Sequence, residues 1–155
     1  MHVDLKTFLA EGRLGDVRVG MTRAEILALA GEPAVFARGE SMQDAEIWIN
    51  GKVTFWFAAS SLEHIGVYYV LEYPSNQNIS YDASFPERET TTLRQLCNFM
   101  SKNGVEYATD ESHTRHTVLI TKGGVQITAQ GLDKVLNSIV FPAVALSMWR
   151  GKGDA

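Results

Sequence analysis

The stretch from Gly20 to Pro33, G-M-T-R-A-E-I-L-A-L-A-G-E-P, constrains what this chain can fold into more than any other part of it. It holds a full set of start and stop signals for a helix of about three turns. Thr22 is placed to cap the first backbone amides, and Glu25 completes a capping box. Ala24, Ile26, Leu27, Ala28, Leu29 and Ala30 fill the body. Gly31 suits the left-handed position after the last turn, and Pro33 prevents continuation. No side chain in this stretch performs chemistry, so its information is architectural.

Two further helices follow from the same reasoning. Asp4 to Ala10 reads as a short helix capped by Asp4, with Leu5, Phe8 and Leu9 as its apolar stripe and Gly12 as its stop. Thr90 to Asn103 reads as the second strong helix. Thr91 or Thr92 caps it, Leu93, Leu96, Cys97 and Met100 make the stripe, and Gly104 ends it. The segment from 34 to 45 reads as a loop or irregular edge.

Elsewhere the hydrophobic period is two. Glu46–Ile49, Val53–Ala58 and Ile65–Tyr73 are predicted antiparallel strands, turning at Asn50-Gly51 and Ser60-Ser61. After a polar stretch at 74–88 come Val105–Ala108, Thr117–Lys122, Val125–Gln130 and Asn137–Phe141, with Gly123-Gly124 as a two-residue hairpin turn. The two halves match in element order. Gly31 and Gly104, and likewise Val53 and Val125, are separated by nearly the same distance along the chain. The predicted class is therefore α+β, built as two helix-plus-antiparallel-sheet halves with helices covering one sheet face. The expected organisation is a first module at 1–73, a linker at 74–88, a second module at 89–145 and a loose tail at 146–155. The alternative is a single α+β sheet carrying two helices.

The Gly20-Met21-Thr22, Glu25-Ile26 and Gly31-Glu32-Pro33 elements resemble the opening helix of the SmpA/BamE-like outer-membrane lipoproteins. A similar turn and helix occurs in β-lactamase-inhibitor-protein-like α/β modules, and the matched halves strengthen that likeness. The resemblance implies a scaffold that binds other proteins across a concave sheet surface. It does not carry over an envelope-assembly role. Those lipoproteins have a signal ending in a lipidated Cys, whereas this sequence opens Met1-His2-Val3 and has its single Cys at position 97.

Composition narrows the function classes. Of the 155 residues, 45% are hydrophobic and 21% charged, enough to bury a core. A formal charge of −4 without a Lys/Arg stripe argues against a nucleic-acid surface. No apolar run approaches the ~20 residues that a membrane helix needs, and a cytoplasmic location is the expectation. One cysteine excludes an internal disulfide, and Cys97 reads as packing.

The candidate functional residues come from strand alternation. Placing Ile47, Ile49, Val53, Phe55, Phe57, Ile65 and Val67 under the helices leaves Trp48, Trp56 and Tyr68 on the opposite face. This assignment takes the Asn50-Gly51 turn as a three-residue loop with a bulge. In the second half, pairing Ile120 with Ile127 and Val118 with Ala129 leaves Thr117, Leu119, Thr121, Gln126 and Thr128 opposite. Trp and Tyr anchor protein interfaces because they bury rigid area behind a polar tip. Trp48, Trp56 and Tyr68 are therefore the candidate partner-binding residues. In the alternative reading these rings pack between modules or under the 34–45 loop.

Catalytic and cofactor signatures are absent from the sequence: there is no G-x-S-x-G, no P-loop and no G-x-G-x-x-G. Glu25, Glu32, Glu87 and Glu89 are accounted for by caps and helix N-termini. His113 and His116, with Asp110 and Glu111 nearby, read as a polar turn more readily than as metal ligands, because i and i+3 point to opposite sides of a strand. The expectation is a non-catalytic binding protein without metal or cofactor, concretely an immunity-type inhibitor of a toxin domain or enzyme. A small-molecule or metal site near His113, Arg115 and His116 is the first alternative, and a homodimer through the aromatic face is the second.

Overall fold

The computed structural model describes residues 1–69, 72–87, 90–111 and 115–143. In chain order the elements are β1 (His2–Val3), α1 (Leu5–Glu11), α2 (Arg23–Ala30), β2 (Val35–Ala37), β3 (Ile47–Asn50), β4 (Val53–Ala58), β5 (Ser61–Tyr68), β6 (Ser80–Tyr81), α3 (Leu93–Lys102), β7 (Tyr107–Asp110), β8 (Thr117–Thr121), β9 (Gln126–Ala129) and β10 (Leu136–Phe141). Eight of the strands form one antiparallel sheet in the order β2-β3-β4-β5-β10-β9-β8-β7, with β5 and β10 meeting at its centre. The protein is mixed α+β. No helix among the described residues is long and apolar enough to cross a membrane.

Local chemistry sets the helix boundaries. Asp4 accepts from the Thr7 amide at 2.8 Å and starts α1. Thr22 and Glu25 form the expected capping box on α2, and Thr22 holds the Glu25 carboxyl below its ordinary range through its amide and its hydroxyl. Thr92 and Gln95 form a second capping box on α3. Both capping threonines also touch the sheet, because Thr22 bridges Ser61 and Thr92 bridges Val135. Each helix start is thus tied to the residue at or just before the opening of β5 or β10. At the end of α2, Gly31 has a positive φ of 75° but a ψ of −176°, so the chain leaves extended and not in the left-handed turn expected.

One face of the sheet is covered. Leu5, Phe8 and Leu9 of α1, Ile26 and Ala30 of α2, and Leu93, Leu96 and Met100 of α3 cluster with Trp48, Val53, Phe55, Ile65, Val67, Leu119, Ile127 and Ile139. Ile47, Ile49, Val118 and Val140 are also buried but lie outside that cluster. They belong to the far face.

Two hairpins overturn the predicted registers. Asn50 pairs with Val53, so the first turn is the two-residue Gly51-Lys52 and Asn50 is the last residue of β3. Gly51, with φ +61°, takes the first central position, as a II′-type turn requires. Trp48 therefore stands opposite Phe55, and Ile47 opposite Trp56. The expected side-by-side placement of Trp48 with Trp56 is corrected, as is that of the isoleucines with the phenylalanines. In the second half the turn is three residues, Lys122-Gly123-Gly124, with Thr121 N donating to Val125 O at 2.9 Å and Gly124 at φ +84°. Ile120 accordingly pairs with Gln126 and Leu119 with Ile127. Leu119, Thr117 and Thr121 move to the covered face, while Val118 and Ile120 move to the far one.

The stretch expected to be a linker carries packing of its own. Ile79 and Phe85 are buried, and β6 pairs in parallel with β1. The Asn76 side chain donates to Ala30 O at 3.0 Å and Glu32 O at 2.6 Å, and its carbonyl oxygen accepts from Asn50. Amide side chains here do what a strand ladder does elsewhere: they satisfy backbone groups at the end of α2. The predicted tail at 146–155 lies outside the described residues.

Candidate functional site on the far face

The far face of β2 to β5 is built by alternation from Ala37, Ile47, Ile49, Thr54, Trp56, His64, Gly66 and Tyr68. Trp56 and Tyr68 lie on this face, the one opposite the helices expected for them from the sequence, and are half-buried. Trp48 is not with them. It is 2% exposed on the covered face, donates its indole N–H to Met42 O at 2.8 Å, and meets the edge of Phe57 at 5.0 Å. Met42, in the 34–45 segment, packs against the same core cluster.

Gly66 explains the position of Tyr68. These residues alternate onto the same face, and the Tyr68 ring folds back over the glycine: its hydroxyl lies 2.9 Å from where a Cβ at 66 would stand. Only a residue without a side chain permits this close approach. Gly66→Ala is expected to lift the Tyr68 ring, changing the near-ultraviolet circular dichroism while the far-ultraviolet spectrum stays the same. An unchanged near-ultraviolet spectrum would mean that the ring does not rest on Gly66.

One polar atom on this face is left unmatched: His64 Nδ1 is buried with no hydrogen-bond partner. Burial raises the Tyr68 phenol, partly offset by a side-chain hydrogen bond with Trp56, the residue directly paired with His64. The Arg38 guanidinium stands 5.7 Å over the Trp56 ring and 3.8 Å from Glu46.

Two adjoining hollows open beside these residues. The first, about 310 Å³, is walled by Ile47, Ile49, Trp56 and Tyr68, with Lys52 and Tyr73 at its margin. The second, about 290 Å³, shares Gly51, Lys52, Tyr68 and Tyr73, and adds Tyr69, Glu72, Tyr81 and Glu87. Lys52 stands at their junction because the two-residue turn places it there. Its ammonium lies 4.4 Å from the Tyr81 ring centre, 5.5 Å from Phe85 and 5.8 Å from Tyr69, and donates to Pro86 O at 3.3 Å. Burial lowers its pKa, and the charge of Glu87 opposes that shift. Burial also pushes the Tyr81 phenol up to about 12 and the Tyr69 phenol, whose hydroxyl has no partner, further still.

The far face of the other half has a different character. Val118 and Ile120 share it with Gln126, Thr128 and Ser138, and Gln126 donates to Thr128 at 3.3 Å. His113 lies outside the described residues, and His116 and Arg115 are exposed. No group of three or more metal-ligating side chains occurs among the described residues. Lys52, His64 and Gly66 escaped the sequence reading. A glycine inside a strand two residues before a tyrosine was the one available signal.

No family model matches this chain, and no curated protein or solved structure is detectably similar to it.

Proposed function

We propose that this protein is a non-catalytic binding module that docks another protein on the far face of its sheet, with Trp56 and Tyr68 as the anchors. The observation that carries this reading is the hollow beside those two rings. It joins apolar walls to an aromatic pair on a face where no helix lies among the described residues. Half-buried aromatic residues with polar tips at the centre of a concave apolar surface are the usual energetic core of an interface. Trp48 has no part in this surface.

The reading extends to the architecture. We infer two helix-plus-sheet halves of the β-lactamase-inhibitor-protein-like kind, joined edge to edge through β5 and β10. The mirrored strand order supports this, and so do the capped threonines Thr22 and Thr92 bridging to Ser61 and Val135. An immunity-type role in the cytoplasm, sequestering a toxin domain or an enzyme, is the concrete version. The mild acidity of the chain suits a basic partner.

The test compares wild type with the Trp56→Ala/Tyr68→Ala variant in capture from source-cell lysate. Titration of the purified captured protein against both, with light scattering of the chain alone, completes it. A protein bound by wild type and lost by the folded variant supports the reading. Self-association that the variant abolishes would replace it with a homodimer.

A further inference from the structure

We infer that the smaller of the two hollows binds a neutral sugar ring, with its face against the tyrosines and two neighbouring hydroxyls shared between Lys52 Nζ and the Glu87 carboxylate. The site belongs to the isolated chain and does not rest on the docking reading.

Three observations converge on that chemistry. The first is the wall. Tyr68, Tyr69, Tyr73 and Tyr81 line this hollow of about 290 Å³, with Gly51 and Ser75 beside them. Tyrosine rings offer flat apolar faces edged by hydroxyls, and a sugar ring has the matching make-up, C–H faces rimmed by O–H groups. A hollow at the small end of the range for ligand sites suits a single such ring.

The second observation is the charge pattern. The Tyr81 and Tyr69 rings, 4.4 and 5.8 Å from the Lys52 ammonium, line this hollow and not the larger one. Glu87, whose charge acts on both Lys52 and Tyr69, lines it too, as does Glu72. Lys52 donates to Pro86 O at 3.3 Å, which uses one of its three N–H groups. An ammonium ligand supplies only donors and meets Lys52, while a carboxylate ligand supplies only acceptors and meets two glutamates. A zwitterion answers both signs but gives up the hydration of its own two charges. A hydroxyl accepts from an ammonium and donates to a carboxylate, so neighbouring hydroxyls serve both sides without carrying a charge.

The third observation is a lone hydroxyl. Tyr69 is 4% exposed, and its hydroxyl is buried without a hydrogen-bond partner. A buried polar group left in that state is destabilising. The residue forms part of the wall, and a ligand hydroxyl lodged beside Glu87 and Tyr81 supplies the partner it lacks.

The experiment titrates the purified chain with methyl glucoside, methyl galactoside and methyl mannoside by two-dimensional and saturation-transfer NMR. At least one is expected to bind with a roughly millimolar dissociation constant and to shift the Tyr69 and Tyr81 ring resonances. Glucuronate, glucosamine and the zwitterion serine should bind at least about fivefold more weakly than that glycoside. Tyr69→Phe keeps the ring and should weaken binding about fivefold, while the melting temperature stays level or rises because the lone hydroxyl is gone. A purely structural role for that hydroxyl would move the melting temperature alone. Glu87→Gln should weaken binding about tenfold. No binding of any glycoside, a charged compound binding as tightly as the best glycoside, or wild-type affinity in both variants would overturn the proposal. Any of these results leaves the protein-docking reading to its own test.

Discussion

Trp48→Ala is expected to cost about 3–5 kcal/mol of folding stability, the largest effect of any tryptophan substitution among the described residues. The indole is 2% exposed and packed edge-on against Phe57 in the main core. Its N–H donates to Met42 O, so truncation opens a cavity and strips a part-buried carbonyl of its donor. Trp56→Ala removes a ring that is only half-buried, on the far face. That change should cost only about 1–2 kcal/mol. Urea unfolding of the two variants measures the difference directly. Equal costs would mean that the two rings share a face, and with that the Gly51-Lys52 register would fail.

Gly123→Ala should be the most damaging glycine substitution in the second half, at about 2–3 kcal/mol. Its φ is not in the left-handed region, so alanine meets no intrinsic backbone penalty there. The cost is collision. A Cβ at 123 would overlap the carbonyl of Ala10 and stand 3.1 Å from Leu9 O, both backbone groups at the end of α1. The same contact includes the buried hydrogen bond from Thr121 Oγ1 to Leu9 O at 2.7 Å. Relieving the overlap stretches that bond and moves α1 off the hairpin. Gly124→Ala is the control. There φ is +84°, the nearest side-chain atom is 3.5 Å away, and the penalty is conformational, about 1 kcal/mol. Thermal unfolding of both variants checks the order, and a larger loss at 124 would contradict the contact between α1 and the hairpin.

The helices were legible because their boundaries are local chemistry. Asp4, Thr22 with Glu25, and Thr92 with Gln95 each act within three residues of themselves. Sheet faces are another matter, since one residue in a hairpin loop flips every side chain beyond it. Asn50-Gly51 looks like a turn pair, but Asn50 is anchored in β3 by its side-chain bonds to Asn76, and the turn slides on to Gly51-Lys52. Gly123-Gly124 looks like a complete two-residue turn, but Thr121 is held by Leu9 and Val125, so Lys122 joins the loop. Both anchors come from distant segments that no local pattern shows. The pairing of β1 with β6 is two residues long and equally invisible to periodicity. Trp56 and Tyr68 therefore lie on the face expected for them from the sequence and Trp48 does not, while Lys52 drew no notice because its position depends on the same turn.

The central claim is that Trp56 and Tyr68 form the energetic core of a protein-docking face. Its most direct test is the affinity of the captured partner for wild type and for the Trp56→Ala/Tyr68→Ala variant, with circular dichroism verifying that both are folded. Loss of two anchor rings predicts weakening of about thirtyfold or more. Unchanged affinity in a folded variant would contradict the claim and place the interface elsewhere on the protein.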